Sequence, residues 1–164
     1  MKTVFRLILA LSVSALAVWL WLVLFPSPEK IIIGQFEKLA RAASVQPGEG
    51  SLARLAGAEK VGRFFSTNVQ IDIDLPNRQQ HAAMSREEIV QAVLAAHSAG
   101  GLKVKFPDIN VTVASDQATA QADVTVEAKV PGEQDVLVQA MKFTLQKTDG
   151  RWLITRVQTV RTLS

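Results

Sequence analysis

A long apolar run lies near the first residues of the chain, ahead of segments in which apolar and polar side chains recur at regular spacings. Residues 7–25 carry no charge, and as a helix they would span roughly 28 Å, close to the hydrocarbon thickness of a bilayer. Lys2 and Arg6 precede this run and Pro26 follows it. The pattern predicts an N-terminal signal anchor over residues 1–25 that contacts the membrane through a transmembrane helix at residues 7–25.

The charges that flank this run predict its orientation. Lys2 and Arg6 favour a cytoplasmic N-terminus, so a single-pass topology would place the remainder on the periplasmic or extracellular side. The alternative is a cleaved signal peptide, because Ala15 and Ala17 form an A-x-A pattern. Cleavage there would leave the apolar segment 18–25 at the new N-terminus, so a retained anchor is the preferred interpretation. A soluble core helix is a weaker alternative, since the run has no polar face.

Three helices are predicted beyond the anchor. Helical spacing of apolar residues indicates a first helix over Glu29–Ala43. Ser51 is predicted to cap a second helix that ends near Phe65, with an apolar stripe that begins at Leu52. A third helix should start at the capping box Ser85–Glu88 and end before two glycines.

The remaining segments alternate in the manner of strands. Residues 118–130 place alanine and valine on one side and polar residues on the other without interruption. The dipeptide 149–150 (Asp-Gly) is a strong hairpin signal. The other predicted strands are 68–75, 102–113 with an interruption at Pro107, 136–147 and 152–163. This order predicts an α+β domain over residues 29–164, with three N-terminal helices packed on one face of a curved, mostly antiparallel sheet, preceded by one transmembrane helix.

Composition excludes several kinds of reactive site and one class of partner. The 164 residues include no cysteine and no tyrosine, and the formal net charge is +3. Thiolate metal sites, disulfides and cysteine nucleophiles are therefore excluded. Lys2 and Arg6 supply two of the positive charges, and no concentrated basic patch is evident, so we expect no nucleic-acid partner.

Two segments carry a resemblance to a known family. They are Arg86–Ile89, which opens the third helix, and Phe143–Ile154, in which an Asp-Gly turn precedes Trp152. Over residues 29–163 the chain resembles the nuclear transport factor 2-like superfamily, including its SnoaL-like and ketosteroid-isomerase-like groups. The resemblance implies a cone-like sheet with room for a ligand pocket, and frequent dimerisation. Members include isomerases, dehydratases, cyclases, binding modules and membrane-tethered secretion-system components, so the fold alone does not define function.

The carboxylates are weak catalytic candidates. Ketosteroid-isomerase-like members use a tyrosine, which this chain lacks. Epoxide-hydrolase-like members use an Asp-Arg-Asp set in the pocket. Asp72 and Asp74 share the polar face of their strand, where exposed carboxylates are the rule, and are expected to be solvated.

His97 is the sharper candidate for a general base. It lies on the apolar side of the third helix, where a neutral imidazole could act in a pocket. The simpler interpretation is a histidine that the helix dipole favours near a C-terminus. His81 is expected in a loop. No acidic residue stands at metal-ligand spacing from either histidine, so no metal site and no cofactor are predicted.

The resulting functional hypothesis is a non-catalytic module, tethered at the cell envelope, that binds a protein partner, a second copy of itself or a small apolar ligand. The alternative is an isomerase- or dehydratase-type pocket enzyme using His97 with Asp72 or Asp74. Arg151, Arg156 and residues 142, 147 and 161 could form a mild basic stripe for anionic lipid or a partner, although a solvated sheet face is the preferred interpretation.

Overall fold

Along the chain, two helices are followed by two strands, a third helix and four further strands. The computed structural model describes residues 14, 16, 26–75, 78–98, 101–132 and 135–160. In these ranges the helices are α1 (Pro28–Ala43), α2 (Ser51–Gly62) and α3 (Arg86–Ser98). The strands are β1 (Phe65–Leu75), β2 (Arg78–Ser85), β3 (Lys103–Val113), β4 (Thr119–Lys129), β5 (Val136–Thr148) and β6 (Arg151–Thr159). The predicted α+β class is confirmed.

The six strands form one sheet in the order β2-β1-β6-β5-β4-β3. Every neighbouring pair is antiparallel except β1 and β6, which run parallel. The sheet is thus mostly antiparallel, as predicted, and β2 and β3 are its edges. Pro107 lies at a register shift between Lys105 and Asp108, which explains how one strand accommodates a residue that cannot donate a ladder hydrogen bond.

Side-chain caps fix the starts of two helices. Ser27 accepts a hydrogen bond from the backbone N–H of Lys30 at 3.5 Å, and Pro28 occupies the first helical turn of α1. At α3, Ser85 Oγ accepts from the Glu88 N–H at 3.2 Å while Glu88 Oε2 accepts from the Ser85 N–H at 2.7 Å. The predicted capping box is confirmed.

The predicted start and apolar stripe of α2 are partly wrong. Gly50 occupies the cap position, and no side chain caps the helix. Leu52 is 81% exposed, whereas Ala58 and Val61 are buried. Only the second half of the helix is packed against the rest of the domain, so the first residues of the predicted apolar stripe remain exposed. Gly62 approaches α3 so closely that a Cβ there would meet Val90.

Residues 78–85 form a strand, which corrects the expectation of a loop around His81. This strand, β2, pairs antiparallel with β1, and His81 stands opposite Asp72. The segment has no apolar-polar alternation of its own. Its extended conformation depends on backbone pairing with β1.

The inner face of the sheet is packed with aromatic side chains. The small residues Ala120, Ala122 and Val124 of β4 are buried, as their alternation predicts. The Phe36 ring lies edge-on to Phe143, with centroids 5.1 Å apart, and to the ring of Phe106 at 5.8 Å. Phe36 and Phe143 belong to the same buried cluster as the small residues of β4, and Phe106 packs against it.

The predicted anchor lies outside the described residues, apart from Ser14 and Leu16. Among the residues that are described, no helix combines the length and the apolar character needed to cross a membrane. The end of the last predicted strand, residues 161–163, is also outside the described part of the chain.

Candidate functional site

A groove of about 880 Å³ lies between the C-terminal half of α1 and edge strand β3. We call it the α1–β3 groove. It is open to solvent along one side of the sheet and is not an enclosed cavity inside the cone. Most of its lining side chains are apolar: Ala40, Val45, Pro47, Leu102, Val104, Phe106, Pro107, Ile109 and Pro131. Such a lining suits the apolar part of a ligand or of a partner.

The end of α1 builds one wall of this groove by covering the edge of β3. Ser44 Oγ accepts a hydrogen bond from the Val104 N–H at 2.9 Å and lies 3.2 Å from the Val104 carbonyl oxygen. Val45 and Leu102 form an antiparallel bridge, with N–O distances of 2.7 and 3.0 Å. The hydroxyl and the bridge replace a missing neighbouring strand, and so hold α1 and β3 at a fixed spacing.

Four charged residues also line the groove: Glu37, Arg41, Lys103 and Lys105. All four are exposed, and none forms an ion pair with a described residue. Three cations and one carboxylate give the groove a positive balance. An apolar floor with this rim favours an amphiphile whose polar end is anionic.

His97 does not line this groove. Its side chain is buried, with 1% exposure, and its Nε2 lies 2.9 Å from the carbonyl oxygen of Ala43. Its Nδ1 lies 3.4 Å from the carbonyl oxygen of Arg54. Both contacts are to backbone carbonyl oxygens, which accept hydrogen bonds, so a ring N–H at Nε2 can donate across the shorter distance. The imidazole therefore links the three helices, and no carboxylate of the described residues forms a hydrogen bond with it.

Asp72 is held by neighbouring side chains on the outer face of the sheet. Its side chain is only 17% exposed, which corrects the expectation of a solvated carboxylate. His81 Nδ1 lies 2.8 Å from one carboxylate oxygen, and Arg156 donates to the other through Nε at 2.8 Å and Nη2 at 2.7 Å. Hydrogen bonding by His81, followed by that of Arg156, holds the pKa of the Asp72 carboxyl below its usual value.

The remaining candidates are not brought together with His97. Asp74 pairs through its backbone with Gln79 on β2. Arg156 belongs to the Asp72 cluster, and Lys142 lies 3.7 Å from Asp123, so these two cations of the predicted basic stripe are paired with acids. The described residues contain no group of three or more His, Asp or Glu side chains arranged to hold a metal ion.

The sequence contained one signal that could have revealed the Asp72–His81 contact. Two residues, Pro76 and Asn77, separate β1 from β2, a spacing typical of a tight hairpin. Antiparallel pairing across such a connection places Asp72 opposite His81. The groove had no comparable signal, because its two walls lie about 60 residues apart in sequence.

The fold and these surfaces define a class of protein, an α+β domain with three helices over a six-stranded sheet. Residues 55–158 match the model of the SnoaL-like domain family, and this match spans more than half of the chain. The chain therefore belongs to the SnoaL-like domain family. None of the curated protein sequences matches it.

Solved structures share this architecture at low sequence identity. A nuclear transport factor 2-like protein of unknown function from Pseudomonas putida aligns with a TM-score of 0.60 and 9% identity, over 83% of this chain and 87% of that one. A cystatin-like-fold domain from Nostoc punctiforme gives 0.59 and 17%, over 85% and 80%. A protein proposed to be a scytalone dehydratase, from Novosphingobium aromaticivorans, gives 0.55 and 15%, over 80% and 82%. At these identities the likeness shows the fold alone.

Proposed function

We propose that this chain is a membrane-tethered, non-catalytic binding module of the cell envelope, and that the α1–β3 groove is its binding site. One observation carries the proposal: the groove combines a large apolar surface with charges only at exposed positions. His97, the preferred general-base candidate, is committed to backbone carbonyls elsewhere. The groove therefore supports binding better than acid–base chemistry.

The ligand class follows from the lining. An acyl chain or another extended apolar group would cover the floor around Val104 and Ile109, and an anionic end would lie near Lys103 and Lys105. Burial of the chain would supply most of the affinity, at about 25 cal/mol per Å² of apolar surface. The exposed cations would contribute orientation more than affinity.

A photoreactive fatty acid tests the site directly. The full-length protein in nanodiscs would be irradiated with diazirine-labelled palmitic acid, and the modified peptides identified by mass spectrometry. We expect modification within residues 102–109, reduced at least tenfold by Ala40→Glu, which places a charge in the apolar wall of the groove. Leu52→Glu is the matched control, because Leu52 is an exposed apolar residue outside the groove. Modification spread evenly over the domain, or unaffected by Ala40→Glu, would refute the site.

The tether is tested separately. A periplasmic reporter fused after Ser164 should be active, and the full-length chain should fractionate with membranes, because Lys2 and Arg6 hold the N-terminus in the cytoplasm. Activity of a cytoplasmic reporter at the same position would contradict the topology. A shortened species that begins at Val18 would instead show a cleaved signal.

A further inference from the structure

A second, smaller groove of about 300 Å³ lies along the first three turns of α1. We call it the basic groove. Ile31, Gln35 and Lys38, one face of α1, form one wall, and the turn and first residues of β6 form the other. Gln35 Nε2 donates to the carbonyl oxygen of Trp152 at 2.7 Å and fixes the two walls together.

The charges of this groove are of one sign. Lys38, Arg63 and Arg151 line it, no acidic residue does, and all three cations are exposed. None of them forms an ion pair with a described residue. Lys147 adds a fourth cation beside the groove, with Nζ 5.8 Å from the ring centroid of Trp152.

The position of the groove along the chain indicates its partner. Ile31, which is 47% exposed, follows the apolar run 7–25 by only six residues. Three extended residues and one helical turn span at most about 15 Å. If residues 7–25 cross the bilayer, the groove cannot move far from the headgroups, and the bilayer surface is then present at high effective concentration.

We infer that the basic groove docks the domain on an anionic bilayer surface, with the lipid phosphates contacting Lys38, Arg63 and Arg151. This inference rests on the membrane tether proposed above. Docking in this way turns the α1–β3 groove away from the bilayer, because the α1 residues that line the two grooves project from opposite faces of the helix. The tether sets the distance of the domain from the membrane, and the basic groove sets its orientation.

Docking on the bilayer can be measured as protection of a single introduced cysteine from a water-soluble reagent. The label is unique because the chain has no cysteine of its own. The full-length Ile31→Cys protein would be placed in nanodiscs of phosphatidylcholine alone or with phosphatidylglycerol, and its rate of reaction with a water-soluble maleimide measured. We expect reaction at least tenfold slower in the anionic discs at low salt. The difference should disappear in 0.5 M sodium chloride, where the Debye length is only about 4 Å.

Two triple variants separate the groove from general electrostatic attraction. Lys38→Gln/Arg63→Gln/Arg151→Gln should abolish the protection, since each cation near an anionic surface contributes roughly fivefold in affinity. Lys60→Gln/Lys129→Gln/Lys142→Gln removes the same charge at positions of α2, β4 and β5 outside both grooves and should leave the protection intact. Equal protection of the cysteine in neutral and anionic discs would overturn the inference, as would an equal loss of protection in both triple variants. Protection of the cysteine in neutral discs on addition of inorganic phosphate would also overturn it.

Failure of the tether gives a different result from failure of docking. A chain that does not elute with nanodiscs refutes the tether, and the same chain is then sedimented with anionic vesicles. Sedimentation that depends on Lys38, Arg63 and Arg151 would still support the basic groove, and its absence would overturn it.

Discussion

Replacement of Ala122 by leucine tests whether the interior of the domain is packed. Ala122 is fully buried, stands opposite Phe143 on β5 and Val111 on β3, and belongs to the same cluster as Phe36. Leucine adds three carbons. In an empty cavity their burial would stabilise the fold by up to about 2.4 kcal/mol, at about 0.8 kcal/mol each. In a packed core, overpacking costs about 1–3 kcal/mol.

The sign of the change therefore distinguishes the two cases. Because the aromatic rings occupy the space above β4, we expect destabilisation by about 1–3 kcal/mol, measured by urea denaturation. The melting temperature should fall by roughly 3–5 °C per kcal/mol. Ala83→Leu, the same substitution at an exposed position of β2, is the matched control and should change stability by less than about 0.5 kcal/mol. A more stable Ala122→Leu protein would show that the interior is hollow, and an interior ligand site would then replace the α1–β3 groove.

Three further outcomes are expected. Trp152→Ala should cost about 3–5 kcal/mol in urea denaturation, because the indole is only 3% exposed, and a loss below about 1 kcal/mol would contradict its burial. Ser85→Ala should cost about 0.5–2 kcal/mol through loss of the α3 cap, whereas Ser51→Ala, which removes no cap, should be nearly neutral; equal effects would contradict the cap assignment. The lowered pKa of Asp72 means that its contribution to stability is present above about pH 4 and is lost as the pH falls through the folded-state value. Asp72→Asn should therefore lower stability at pH 6 and flatten its decline between pH 4 and 2, and an unchanged acid profile would refute this account.

Elements governed by local periodicity were predictable. The alternation over residues 118–130 identified both the strand β4 and its buried side, because side chains of a strand point to alternate faces whatever its partners are. The Ser85–Glu88 box and the Asp149–Gly150 turn were predictable because their signals also lie within a few neighbouring residues. Asp149 and Gly150 both have positive φ, 50° and 76°, as a two-residue hairpin turn requires.

Features that depend on distant partners were missed. Asp72 is sheltered because β2 and β6 lie on either side of β1, and β6 is distant in sequence. The role of His97 depends on carbonyl groups 54 and 43 residues away, which come into reach only when the helices pack together. The sequence showed that His97 lies on the apolar side of its helix, but its hydrogen-bond partners are determined only when the three helices pack together.

The closure of β3 by Ser44 and Val45 has a consequence for folding. These contacts join residues about 60 positions apart, and contacts so distant in sequence form slowly relative to hairpins such as β3–β4 and β4–β5. Until α1 docks, the backbone of β3 near Val104 is an open edge on which another unfolded chain could add a strand. The protection of this edge is therefore a late product of folding, and the Val104 amide should exchange with solvent deuterium whenever the end of α1 lifts away. The chain is most prone to aggregation during this interval, before α1 has reached β3, the last strand in the sheet order.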